Sequence, residues 1–295
     1  MTIGSLMQGG FRLIKERPGA MLIWALVQLA ATIGMSFWMA WIFQGNIDAL
    51  MAGESVQSVQ MSYTMQSLLV SLAGLVVSTI LYAAVQRAII HPNEGGPGWL
   101  KLGMDEVRLF LLLLLYLIVF IVAGVILTFF LGAFLAGTTR GAVWTAAIVL
   151  LVFGFLGVSY FGTKLSLTFP LTLKERAFSI GEGWSLTNGR FWTLYGAYFI
   201  IFLILLVIGV ATTVALKPEY FSAIFQYGFN SPEAQQASLQ DYQDLMVDGI
   251  SARTVIGWVV AAVQGALGYA MMGGAAATAV QELTADEEGL SETFS

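Results

Sequence analysis

Six long runs of apolar residues constrain this chain more than any other feature. They lie at about Ala20–Phe43, Ser67–Ile90, Leu109–Ala136, Ala142–Gly162, Phe191–Leu216 and Thr254–Val280. An α-helix needs about 20 mostly apolar residues to cross the hydrocarbon core of a bilayer, and there it must satisfy its own backbone N–H and C=O groups. Each run therefore reads as a transmembrane helix. Composition agrees: 58% of the 295 residues are hydrophobic and only 11% are charged. Soluble domains carry about 25% charged residues, so a water-facing surface cannot be built from this supply. The fold class expected is all-α, a polytopic six-helix bundle forming one membrane domain over residues 1–283, followed by an acidic tail over 284–295. A short turn around Gly137–Arg140 makes the third and fourth runs an antiparallel hairpin. The first run exceeds the roughly 7–15-residue core of a cleavable signal peptide, and no small-x-small site follows it, so it reads as a retained anchor.

Orientation follows from the basic residues. Arg12, Lys15, Arg17, Arg87, Lys101, Arg108, Lys164, Lys174, Arg176 and Arg190 fall at one set of ends and loops, against Arg140, Lys217 and Arg253 at the other. Positive charge marks the cytoplasmic side, so the amino terminus is expected there, and an even number of spans brings the carboxyl terminus with it. Glu282, Asp286, Glu287, Glu288 and Glu292 do not oppose this, because acidic residues contribute little to the rule. A net charge of −5 argues against nucleic acid as a partner, which requires clustered positive charge. The absence of cysteine excludes disulfides, thiolate metal sites, palmitoylation and a cysteine nucleophile.

Segments preceding the first, third and fifth spans look alike. Gly10-Phe11-Arg12-Leu13 leads to Arg17, and Gly183-Trp184-Ser185-Leu186 leads to Arg190 at the same spacing. Gly98-Trp99 leads to Arg108 with extra residues between. Two readings fit: three repeated units, each an interfacial segment plus a helical hairpin, or the usual gathering of aromatic and basic residues at membrane interfaces. Ile3, Leu6, Met7, Phe11 and Ile14 share one helical face, apart from Ser5, Gln8, Arg12 and Lys15. Leu173, Ala177, Ile180 and Trp184 form a second stripe, on a helix opened by Thr172 and Glu175 at capping-box spacing. Amphipathic helices with basic and aromatic side chains lie in the headgroup plane and favour anionic lipid. Each basic residue there contributes about 1 kcal/mol. The candidate lipid-interface residues are Phe11, Arg12, Lys15, Arg17, Trp99, Lys101, Arg108, Lys174, Arg176, Trp184 and Arg190. Their expected partner is anionic membrane lipid; the alternative is that these helices only position the hairpins.

The outer loop, 217–253, holds a surface helix by its start signal, Ser231-Pro232-Glu233, with proline at the first helical position and Gly249 as a stop. Leu239, Tyr242 and Met246 give it an apolar face, with Asp241, Asp244 and Asp248 opposite. Three aspartates can ligate a divalent cation, but carboxylates facing water are the commoner case and no glycine-centred calcium loop accompanies them. No metal or cofactor is expected.

No ionisable residue stands at the centre of any run. Such a charge costs at least roughly 2.5–3.5 kcal/mol on insertion scales, so those that persist tend to be functional. Arg87, Lys164 and His91 sit at run ends and are expected to snorkel to the headgroups. His91 is the sole histidine, so no histidine-ligated zinc site can form, and no hydrolase, nucleotide-binding or zinc-protease motif is present. The chain reads as non-enzymatic; an intramembrane enzyme would need Asp105, Glu106, Glu175 and Glu182 to converge. The polar and small residues within the runs are uncharged: Gln28, Thr32 and Ser36; Ser71, Gly74 and Ser78; Gly124, Thr128, Gly132 and Ala136; and Gly257, Ala261 and Gly265 beside Gln264 and Gly268. Close helix association favours such residues, and helix packing is the preferred reading. The alternative is a polar cleft for a headgroup or solute.

The stretch Pro170-Leu171-Thr172-Leu173-Lys174-Glu175-Arg176-Ala177-Phe178, continued by Gly183 to Trp192, resembles a family of six-helix bacterial inner-membrane proteins, as does Arg17-Pro18 before the first span. That family is similar to the membrane domain fused to some glycerophosphodiester phosphodiesterases. The resemblance implies this layout for nearly the whole chain, placement in a bacterial inner membrane, and a role in envelope or lipid homeostasis. It supplies no catalytic residues, and the phosphodiesterase activity does not carry over. The function expected is a scaffold or lipid-interacting module, with a transporter or channel for a small or amphipathic solute as the alternative. A membrane-protein partner and the oligomeric state stay open.

Overall fold

The computed structural model describes the backbone except at 136–139, 229–230, 248 and 295, and side-chain surroundings except also at 130–151, 235, 238–242 and 286–294. Proline divides the chain into helices, because it lacks an N–H and disfavours the α conformation in the residue before it. α1 (Ile3–Glu16) ends at Arg17, and Pro18 opens α2 (Pro18–Met51). α3 (Val56–Ile90) ends at His91, ahead of Pro92, and Pro97 opens a single 3-10 turn, Pro97–Trp99. After α4 (Met104–Leu135) and α5 (Arg140–Leu165), Pro170 falls in the first turn of α6 (Thr168–Glu175), where its missing N–H is not needed. α7 (Ile180–Leu186) leads to α8 (Phe191–Leu216), which ends at Lys217 before Pro218 opens α9 (Pro218–Tyr227). Pro232 opens α10 (Pro232–Val247), and α11 runs Ala252–Phe294.

Six of these helices are long and apolar enough to cross a membrane, and the described residues contain no strand. The protein is an all-α, multi-pass membrane protein. The helices run beyond the apolar stretches. α2 and α3 are joined only by residues 52–55, with Gly53 at φ 89°, and the Ser55 hydroxyl accepts the Ser58 N–H at 3.2 Å. α11 continues through the acidic segment expected as a tail.

α11 is the hub, with α1, α2, α3 and α8 against it. Its stretch from Ala270 to Val280 is built almost wholly of small residues and is buried except at Met272. Without a hydrophobic drive between helices in lipid, small residues let backbones approach and gain dispersion contacts. The closest approach is to α1. A Cβ added at Gly10 would lie 2.7 Å from the Met271 Cα, and one at Gly274 would lie 2.8 Å from the Gly10 Cα. The two ends of the domain meet here: the Met1 amine lies 3.4 Å from Glu282. α1 therefore buries Leu6, Gly9, Gly10 and Leu13, while Ile3 and Phe11, expected on one apolar face, are exposed.

Two further expectations are corrected. Thr172 and Glu175 do not open a helix; they lie inside α6, which ends where Arg176 turns left-handed at φ 53°. The Thr172 hydroxyl accepts the Ser179 N–H at 3.4 Å and Glu175 accepts the Ser179 hydroxyl, closing the link to α7. The stripe from Leu173 to Trp184 is thus split over two helices. On α10 the start signal holds, with Ser231 Oγ accepting the Ala234 N–H at 3.1 Å. Its inward residue is Leu245, packed with Ala40 and Trp258, whereas Met246 is exposed. Leu239, Tyr242, Asp241 and Asp248 lie outside the described side chains.

Candidate functional site

The face carrying both termini gathers the distinctive chemistry. Arg87 on the last turn of α3 does not snorkel: it is 1% exposed and paired with Glu106, itself 6% exposed, on the first turn of α4. Arg87 also donates to the Trp99 carbonyl at 2.9 Å, and the Gly103 N–H donates to Glu106 at 2.9 Å. A buried pair persists only when further hydrogen bonds satisfy both partners. The chain reaches this geometry through Gly98 at φ 63°, whose Cβ would lie 2.9 Å from Ile23 Cγ2, and whose carbonyl accepts Trp24 Nε1 at 2.7 Å.

Two cations on this face lie over indole rings. Arg17 stands 4.2 Å from the Trp99 ring centre, joining the start of α2 to the 3-10 turn. Lys164, near the end of α5, stands 5.4 Å from the Trp184 ring and donates to Asn188 Oδ1 at 2.6 Å. Lys164 is buried at 6% exposure. Among the described residues neither cation has a carboxylate within 4 Å. Cation–π contact contributes about 0.5–2 kcal/mol as desolvation increases but leaves the charge in place. Around Trp184 the rings of Tyr160, Phe161, Phe191, Tyr195 and Phe199 continue along α5 and α8 with centroid spacings of 5.3–6.3 Å.

The other expected interface residues are locally engaged. Arg12 lies 3.9 Å from Glu16, and Arg108 pairs with Asp105 at 2.9 Å. Lys174 donates to Thr284 at 2.8 Å. Lys101 and Arg176 converge on Glu94 at 3.2 and 2.6 Å, with His91 at 3.8 Å. The hydrogen bond from Lys101, then the charges of Arg176 and His91, hold the Glu94 carboxyl below its usual range. Lys15 and Arg190 are exposed. Asp105, Glu106, Glu175 and Glu182 are not drawn into one site: the first three bind Arg108, Arg87 and Ser179, and Glu182 is exposed. The described residues hold no cluster of three potential metal-ligating side chains.

The polar stripes of the first and last spans do come together. Thr32 and Ser36 of α2, Thr212 of α8, and Gly257 and Gln264 of α11 line a cavity of about 360 Å³ on the opposite face, below Asp244 of α10 and Arg253. Gln264 donates to Thr212 at 2.8 Å and Trp258 Nε1 to Ser36 at 3.1 Å. Arg253 pairs with Glu219 at 2.7 Å, and its hydrogen bond holds that carboxyl below the ordinary range. One turn deeper, Gln28 closes against Gly265, whose Cβ would lie 3.1 Å from Gln28 Cγ. Ser78 accepts the Tyr269 hydroxyl at 2.8 Å, whereas Ser71 returns its own hydroxyl to the Ser67 carbonyl. Gly124 and Thr128 are exposed, and among the described residues the space over Gly124 is open. Gly132 and Ala136 lie outside the described side chains. Sequence reasoning missed the Arg87–Glu106 pair and the buried Lys164; an arginine on a span's last turn followed by a glutamate opening the next helix was the available signal. No protein-family model, no curated protein and no solved structure matches the chain.

Proposed function

We propose that this is a non-enzymatic bacterial inner-membrane protein, both termini cytoplasmic, that binds anionic lipid in envelope or lipid homeostasis. The observation that carries the reading is the pair of cation–indole contacts, Arg17 over Trp99 and Lys164 over Trp184, on one face and, among the described residues, without carboxylate partners. Tryptophan favours the headgroup region, and a cation held there without a counter-ion attracts anionic phosphate. The face also carries most of the Lys and Arg in the sequence, which supports its cytoplasmic placement. Lipids retained after purification in mild detergent test the reading. Phosphatidylglycerol and cardiolipin should be enriched over the bulk extract, and less so after Arg17→Gln. Co-purified lipid with the bulk composition would remove it.

The polar cavity on the opposite face favours a second reading, uptake of a small neutral solute. Its hydroxyls and the Gln264 amide, set among Lys217, Asp244 and Arg253 and the apolar Leu216, Leu245 and Val260, suit a small solute with hydrogen-bonding groups rather than an acyl chain. A panel of small polyols and amides should raise the melting temperature of the wild type but not of Gly257→Trp, which fills the open space over Gly257. No stabilising solute means no such site.

A further inference from the structure

We infer that the cavity below α10 takes a small zwitterion of the amino-acid class, its ammonium at Asp244 and its carboxylate toward Lys217 and Arg253, an assignment that rests on the solute reading above. All three residues line the same cavity of about 360 Å³, at the small end of the roughly 300–1,000 Å³ typical of small-molecule sites. Asp244 is half-buried and, among the described residues, forms no ion pair or side-chain hydrogen bond. It also lies in the last turn of α10, which holds no basic residue. The carbonyl end of a helix disfavours negative charge, and a carboxylate partly withdrawn from water without a partner is costly. Local structure therefore gives no reason for an aspartate here, whereas a positive group brought by a ligand does.

The lining also says that the occupant is more than an ammonium. A bare cation would meet Lys217 and Arg253 in the same cavity, and a bare anion would meet Asp244. A molecule carrying both charges offsets both. Arg253 keeps Glu219, which is not part of the cavity lining, and its forked guanidinium can serve two carboxylates. Deeper in the cavity the polar groups are neutral. Ser36 accepts Trp258 Nε1 and Thr212 accepts Gln264, while the Thr32 hydroxyl has no side-chain partner among the described residues. A short hydroxyl or amide side chain suits that end, so serine and glutamine represent the class. Neither bears a net charge, in keeping with the solute reading. A polyol would leave Asp244 without a counter-ion.

Equilibrium binding of radiolabelled serine and glutamine to the full chain in mild detergent tests this. At least one should bind saturably, and Gly257→Trp, whose side chain enters open space in the cavity, should abolish the binding. The N-acetyl derivative of the bound amino acid lacks the ammonium, and its α-carboxamide lacks the carboxylate. Each should compete about tenfold less well, the loss of one charged hydrogen bond. Asp244→Asn should weaken the free amino acid about tenfold and leave the N-acetyl derivative unchanged. It should not lower the melting temperature of the ligand-free protein, because Asp244 has no partner to lose. If Asp244→Asn binds the amino acid as the wild type does, or if the α-carboxamide competes equally, the assignment is overturned. If neither amino acid binds while polyols still stabilise the wild type but not Gly257→Trp, the solute reading survives without it. If no solute of either kind binds, both fall.

Discussion

At the scale of single residues, Arg87 shows how a charge survives next to lipid. It is held by Glu106 and the Trp99 carbonyl, and Glu106 by the Gly103 N–H. Removing one partner strands the other, so Arg87→Met or Glu106→Leu alone should cost about 3–5 kcal/mol. The double variant should cost less than either single one, measured by denaturant unfolding in detergent; additive losses would contradict the pairing. Glu94 is the exposed counterpart. Its folded-state pKa lies below the ordinary value through Lys101 and Arg176, so its contribution is complete above the unfolded carboxylate value of about 4.3 and fades as pH falls through the lower folded value. Hydrogen exchange over residues 91–103, corrected for intrinsic rate, should accelerate on acidification through that window. Glu94→Gln should exchange fast at every pH, and a wild-type rate indifferent to pH would sink the argument.

At the scale of elements, glycine decides where helices meet. The crossing of α1 on α11 brings Gly10 against the Met271 backbone, so Gly10→Leu should cost about 1–3 kcal/mol from overpacking. Gly124→Leu, over open space, should cost nothing measurable; equal melting temperatures for the two would refute the crossing. The contrast also explains what the sequence made legible. The six spans were readable because apolar length is a local property, and proline and serine at Ser231-Pro232 or Arg17-Pro18 mark boundaries locally. The docked face of α1 was not, because periodicity searches for large apolar residues, and Phe11 looks outward and Ile3 lies against Gly196 of α8, while Gly9 and Gly10 make the contact with α11. Thr172 and Glu175 mimicked a helix start because nothing local reveals that Arg176 turns left-handed. Arg87 found Glu106, and Lys164 found Asn188, across connections whose path depends on Gly98 and on Arg176 at positive φ. Thr32, Ser36 and Gln264 could be seen as polar faces, but only the tertiary arrangement brings them to one cavity.

At the scale of the whole molecule, α11 gathers α1, α2, α3 and α8, while α4 and α5 stand at the edge and expose large apolar side chains along much of their length. That arrangement sets a tight core beside a looser hairpin, with a groove of about 380 Å³ between Phe155 of α5 and Phe199 and Phe202 of α8. Every part of it presumes that six helices cross a bilayer in alternating directions. Single cysteines test this directly, since the chain has none of its own. Glu54→Cys and Ser251→Cys should react with an impermeant thiol reagent from one side of sealed vesicles, and Asn93→Cys and Gly181→Cys only from the other. Labelling of residues 54 and 93 from the same side would contradict the account.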